Sequence, residues 1–181
     1  MRELLMRLLA KCQRRDQVSW LVKQGLVVGR NFAVLEDVVI DPSHMWHIVI
    51  GNDVTLAPRV QIFAHDASTK QHLGRTRLGK VAIGDRVFVG ASTIILPGVT
   101  IGSDVIIGAG SIVAKDIPSG VIAAGNPAKI LCPLTKFLEE RSAEMASSPN
   151  FGREYTLRGN ITEQRKAEMN ARMKNRFGYV A

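Results

Sequence analysis

The chain has 181 residues, 46% of them apolar, a formal net charge of +8 at pH 7 and two cysteines. That length fits one modest domain with extended ends, and no apolar run approaches the roughly 18 residues that a membrane-spanning helix needs. Cys12 and Cys132 stand far apart without metal-type spacing, which fits a reducing cytoplasm, and Arg2, Glu3, Arg7 and Lys11 interrupt the apolar N-terminal residues, so no secretory signal is expected.

Residues 1–25 form the first expected element, an amphipathic helical segment with Leu4, Leu5, Leu8 and Leu9 on one face and Arg2, Arg7, Lys11 and Arg14 around the rest. Its simplest role is to cap the open end of the fold that follows; a basic amphipathic helix also permits association with an anionic membrane surface. Residues 1–30 hold seven Lys or Arg against two acids, residues 31–132 eight against eight, and residues 133–181 nine against six. The basicity belongs to the flanks. With 6% aromatic residues and a neutral central region, no nucleic-acid partner is expected.

The central region, 26–132, is organised by a period of six. An aliphatic residue recurs at Ile83, Val89, Ile95, Ile101, Ile107 and Val113, and in the same phase upstream at Val28, Val34 and Ile40, then at Ile50, Leu56 and Ile62. A small residue follows each of the six downstream aliphatics except Ile95, where Leu96 stands. Four places after each of those six comes another apolar or small side chain: Val87, Thr93, Val99, Val105, Ser111 and Ile117. A six-residue period fits neither an α-helix nor an isolated strand. It predicts an all-β fold, a parallel β-helix in which each hexapeptide forms one short strand and turn and stacked coils bury a column of similar side chains.

Two breaks interrupt the period, ten residues from Ile40 to Ile50 and twenty-one from Ile62 to Ile83. The second contains "IFAHDASTKQHLGRTRLGK", with His65 directly before an excursion over residues 66–80. A loop leaving a rigid solenoid just after a histidine is a natural wall for a site. Taken alone, a histidine beside a loop is more often structural, and the same holds for His44, His47 and His72. A zinc site needs three ligands at workable spacing, and only His44 and His47 are close in sequence, so no metal is expected. Residues 133–181 form a C-terminal helical extension, with helices at "LTKFLEERSAEM" and "ITEQRKAEMNARMK", the second opened by a capping box from Asn160 to Glu163.

The repeats together with "APRVQIFAHDAST", "IGDRVFVGASTIILPGVTIG", "IGAGSIVAKDIP" and "AGNPAK" resemble the hexapeptide-repeat O-acetyltransferases of the maltose, galactoside and nodulation-factor family, and most of all its branch associated with capsule and lipopolysaccharide synthesis. The resemblance covers roughly residues 26–132. It implies a left-handed β-helix, a homotrimer with an active site at each subunit interface, acetyl-CoA as donor and a saccharide as acceptor. By the same resemblance His65 takes the place of the catalytic base, and Asp41 lies about where galactoside-type enzymes have an asparagine that assists at the acceptor hydroxyl. Phe88 replaces a tryptophan near the acyl end, Ala91 and Ala109 meet the pantetheine arm, Ala114 replaces a threonine there, and Lys115 and Lys129 approach the nucleotide phosphates. The loop reads "AHDAST" where galactoside-type enzymes have "GHP", which points to a different acceptor.

Elementary chemistry is consistent with these roles. A sugar hydroxyl is a poor nucleophile at neutral pH, and a histidine suits the task of taking its proton as the new bond forms. Asp41 or a backbone carbonyl can hold the other ring nitrogen. A backbone N–H near Gly90 and Ala91 can stabilise the oxyanion of the tetrahedral intermediate, and Lys115 and Lys129 can flank a groove along the last coils. Other classes share the repeat: a γ-type carbonic anhydrase, disfavoured by the histidine spacing; a serine-type O-acetyltransferase, separable by acceptor; and a non-catalytic scaffold, separable by coenzyme A binding.

Overall fold

Each hexapeptide forms a strand of only two or three residues, because after one inward aliphatic and its neighbour the chain must turn a corner. The computed structural model describes residues 18–174 and 176–181, and the chain divides into two compact units with the boundary after Leu134. The leucines expected on the N-terminal helix lie outside the described residues; residues 18–23 are helical, and Leu21 is buried in the core of the first unit. No helix among the described residues is long and apolar enough to cross a membrane.

Three parallel faces make up the first unit. Face one stacks β1 (Val27–Val28), β4 (Ile48–Ile50), β9 (Val81–Ile83) and β12 (Thr100–Ile101). Face two stacks β2 (Ala33–Val34), β5 (Thr55–Leu56), β10 (Phe88–Val89), β13 (Ile106–Ile107) and β15 (Val121–Ala124). Face three stacks β3 (Val39–Ile40), β6 (Gln61–Ile62), β11 (Ile94–Ile95) and β14 (Ile112–Val113). The register places like on like: Ile40 on Ile62, Ile62 on Ile95, Ile95 on Val113. The aliphatic column from Ile40 to Val113 is buried throughout, as are the residues four places on from Val87 to Ile117. Thr93 and Ser111 enter this core by bonding their hydroxyls to the Gly108 carbonyl.

The edge between faces one and two shows why glycine follows the aliphatic there. A Cβ on Gly84 would lie 2.7 Å from the backbone of Gly102 and Ser103 in the next coil. The same edge carries a ladder of side-chain acceptors: Asn52 takes the Arg30 N–H, Asp85 the Asn52 N–H, Ser103 the Asp85 N–H, and Ser119 the Ser103 N–H.

Coiling ends where β16 (Lys129–Pro133) turns back antiparallel onto β15. In the second unit helices run over Leu134–Ser147 and Glu163–Met173, and β17 (Asn150–Phe151) pairs with β18 (Tyr179–Val180). The expected capping box is replaced. Thr162 is the N-cap, its hydroxyl accepting from the Arg165 N–H at 3.3 Å, while Asn160 sits at φ 56° and ends a preceding 3-10 turn. Thr162 is the residue beside Glu163, so its hydroxyl reaches the first free N–H groups, which Asn160 two places earlier does not.

Candidate active site

Both breaks of the period leave the coil at one edge. The first joins β3 to β4 and the second β6 to β9, so each crosses from face three to face one, in consecutive coils. Along that edge the same corner position recurs in each coil, one place after the buried aliphatic: Asp41, Phe63, Leu96 and Ala114 form one column. Leu96, the exception to the small-residue rule, therefore belongs to the edge that carries the excursions.

Within the second excursion β7 (His65–Asp66) pairs antiparallel with β8 (Arg77–Leu78), and the Gly79 N–H donates to the Ala64 carbonyl at 3.0 Å, closing the root of the loop. A short helix, Lys70–Leu73, forms the tip and ends at Gly74 with φ 64°.

Asp41 is fully buried and wholly engaged. Its Oδ1 accepts from the Ser43 N–H at 2.9 Å; its Oδ2 accepts from the Ala64 N–H at 2.9 Å and lies 2.5 Å from His65 Nδ1. Burial alone would raise its pKa, but the hydrogen bonds from His65, Ser43 and Ala64 together hold the carboxyl below its ordinary value of 3.8. An ionised carboxylate only accepts, so His65 Nδ1 carries a proton, and in the neutral ring Nε2 is the acceptor. That is the tautomer a general base requires.

His65 opens on a cavity of about 420 Å³. Phe63, Ala67, Leu96, Pro97 and Ala114 are its apolar lining residues, and His65, Asp66 and Arg77 its polar ones. Apolar walls with a few convergent polar groups are the usual make-up of a small-molecule site.

The remaining sequence candidates do not gather at this cavity within one chain. Phe88 lies on face two with 45% of its surface exposed. Gly90, Ala91 and Ala109 occupy the edge between faces two and three. The Gly90 N–H is spent on the Ile107 carbonyl at 2.8 Å, so of that pair Ala91 alone remains a candidate for the expected oxyanion donor. Gly90 itself is required by coil stacking, since a Cβ there would meet the Ala109 nitrogen at 2.4 Å. Lys115 follows Ala114, which lines the cavity, and Lys129 pairs with Ala124 where β16 turns back, one residue after Ala128, whose N–H donates to the Ile112 carbonyl.

The structure also adds what the spacing of histidines conceals. His44, carried by the first excursion, stands with its ring centroid 5.1 Å from that of His65, and its Nδ1 is buried without a hydrogen-bond partner. Ligand atoms of Asp41, His44 and His65 lie within 4.8 Å of one another, so among the described residues these three are the group that could hold a metal ion. An ion there would compete with the Asp41–His65 hydrogen bond. Counting the aliphatic positions in threes would have revealed this neighbourhood, because Ile40 and Ile62 fall on the same face.

Residues 80–115 match the family model described as bacterial transferase hexapeptide (six repeats). The chain is 36% identical over 182 residues to protein CapG of Staphylococcus aureus, covering 98% of this chain and 99% of CapG. Among solved structures, a hexapeptide-repeat acetyltransferase of Vibrio cholerae complexed with acetyl coenzyme A aligns with a TM-score of 0.55 and 28% identity, over 61% of each chain. A galactoside acetyltransferase in complex with coenzyme A aligns with a TM-score of 0.57 and 33% identity, over 64% of this chain and 58% of that one. The chain belongs to the hexapeptide-repeat acetyltransferase family, and it is an acyltransferase.

Proposed function

We propose that the protein transfers the acetyl group of acetyl-CoA to a hydroxyl of a saccharide acceptor, in the cytoplasmic synthesis of a surface polysaccharide such as capsule or lipopolysaccharide. The observation that carries this reading is the hydrogen-bonded pair of buried Asp41 and His65 at the mouth of a partly apolar cavity. The relatives support it: one solved neighbour holds acetyl coenzyme A, another is a galactoside acetyltransferase with coenzyme A, and CapG matches the whole chain.

In this mechanism His65 Nε2 takes the acceptor's hydroxyl proton as the oxygen attacks the thioester carbon. The carbon–sulfur bond then breaks, and the imidazolium returns the proton to the departing thiolate. Asp41 holds the ring and stabilises its positive charge. Ala91 N–H faces the oxyanion, with Ala109 along the pantetheine arm, Phe88 near the acyl end and Lys115 and Lys129 toward the phosphates. Because the cavity and the Gly90–Ala109 edge lie apart in one chain, the reading requires a left-handed coil assembled as a homotrimer, one protomer's edge facing that of the next.

The test is turnover of acetyl-CoA by the purified protein over a panel of saccharides, followed by locating the new acetyl group by NMR. His65→Ala is expected to lower kcat/KM by roughly 10²- to 10⁴-fold with coenzyme A binding intact. Retention of more than about a tenth of the wild-type value would remove His65 from the role of base. Sedimentation equilibrium showing a monomer at micromolar concentration would contradict the shared site.

A further inference from the structure

The wall of the cavity carries a positive charge that acetyl transfer does not itself need. Of the eight Lys and Arg residues in 31–132, four, Lys70, Arg75, Arg77 and Lys80, fall in the loop 66–80, together with only one of the eight acids, Asp66. The loop is thus +3 within a region whose net charge is zero. Arg77 is the member that lines the cavity beside His65.

Backbone pairing sets Arg77 opposite Asp66, and His65 opposite Leu78. Arg77 makes no direct ion pair among the described residues, although the Ser68 hydrogen bonds and, more weakly, the Arg77 charge hold the Asp66 carboxyl below its ordinary value. Asp66 instead accepts from the Ser68 N–H at 2.8 Å, and arginines that do pair with acids, such as Arg30, Arg86 and Arg141, lie elsewhere. The loop closure through Gly79 and Ala64 fixes this strand relative to the coil, so Arg77 stands on a hairpin rather than a loose tip.

A planar guanidinium in a concave site next to apolar walls is suited to bidentate recognition of a carboxylate or phosphate. The coenzyme's own phosphates do not meet the description. Its thioester must come within reach of His65, and the length of the pantetheine arm then holds the phosphates beyond a cavity of about 420 Å³. We infer that Arg77 is an anion subsite for the acceptor, and that the acceptor is an acidic saccharide whose carboxylate or phosphate lies close to the hydroxyl that is acetylated. Asp66 also lines the cavity, and its second carboxylate oxygen can accept from the sugar's hydroxyl groups.

The inference rests on the acetyl-transfer reading, and its test is built to fail separately. Wild-type protein is assayed with acetyl-CoA and matched probes: methyl glucuronide against methyl glucoside, methyl galacturonide against methyl galactoside, and glucose 6-phosphate against glucose. Uronides and sugar phosphate distinguish the two sources of the anion. An anionic member of a pair is expected to have a kcat/KM about tenfold or more above its neutral partner, the scale of a charge-assisted contact. Arg77→Gln should bring that ratio to near one and leave the KM for acetyl-CoA unchanged, while Arg77→Lys should restore part of it. Saturation-transfer NMR of the same probes, in the presence of coenzyme A, reads the subsite without turnover. Neutral acceptors preferred by wild type, equal probe signals in wild type and Arg77→Gln, or a raised acetyl-CoA KM in Arg77→Gln would each overturn the subsite and leave the His65 assignment standing. A His65→Ala variant as active as wild type would instead strike the underlying reaction.

Discussion

Replacing Asp41 by Asn removes a charge while leaving most of its geometry in place, and the structure says which way the amide will turn. With its oxygen in the place of Oδ2, the side chain still accepts from Ala64 and His65, and only the Ser43 N–H faces an NH₂ group. The reverse orientation sets the NH₂ against both Ala64 and His65, so the first is favoured and the base keeps its tautomer. What is lost is the attraction between carboxylate and imidazolium. At a separation of about 4 Å and an effective dielectric near 20 that attraction is about 4 kcal/mol, a dielectric suited to a His65 side chain that is 30% exposed. With about half of the charge developed in the transition state, roughly 2 kcal/mol is lost, about a thirtyfold fall in kcat. Asp41→Ala also frees the imidazole and orphans the buried Ala64 N–H along with the Ser43 N–H, so its fall should approach about 10³-fold. Steady-state kinetics with the best acceptor, alongside circular dichroism to confirm folding, provides the comparison. An Asn variant as inactive as the Ala variant would refute the argument that Oδ2 fixes the tautomer. An Ala variant within about threefold of wild type would refute the positioning role altogether.

Lys115→Ala combined with Lys129→Ala should raise the dissociation constant for coenzyme A about tenfold, at roughly 1 kcal/mol per exposed charge-assisted contact, with little change in kcat; calorimetry at low and high salt reads it, and the variant should show the shallower salt dependence. Because its folded-state pKa is depressed, Asp41 adds stability that is fully present above its ordinary value of 3.8 and is lost as pH falls through the lower folded value. Urea titrations should therefore show the stability gap between wild type and Asp41→Asn narrowing below that pH. Gly84→Ala, which drives a Cβ to 2.7 Å from the next coil's backbone, should destabilise by about 1–3 kcal/mol in the same titration.

The aliphatic column was legible because burial repeats at a fixed interval, and twelve positions in three runs of six-residue spacing point to stacked coils. His65 was legible as the residue at the root of a long break. The partnership with Asp41 was only half legible: its placement depends on the first break leaving the same edge as the second, which the six-residue interval shows only when positions are counted in threes. Metal-type spacing likewise looked along the chain for what the fold brings together across coils, so His44 was paired in sequence with His47 and not with His65. The strand reversal that carries Lys129 was hidden for a different reason. After Ile117 the apolar period stops, and nothing in the sequence pattern marks the reversal that sends β16 back along β15. Arg77 gave no periodic signal at all, since the loop that carries it lies outside the repeat.

The closure of the long excursion by Gly79 and Ala64 has a thermodynamic corollary. Both ends of the loop are held at a fixed spacing by the coil, so its length enters stability mainly through the entropy of joining two fixed points. That entropy grows only logarithmically, at about 0.6 kcal/mol for each doubling of length. The coils on either side take their hydrogen bonds from one another, as in Gly51 to Ile83 and Gly84 to Ile101, and sense little of what lies between Ala64 and Gly79. Longer, shorter or differently charged segments can therefore be inserted at that root at small thermodynamic cost, and the choice of acceptor can drift while the prism beneath it stays unchanged.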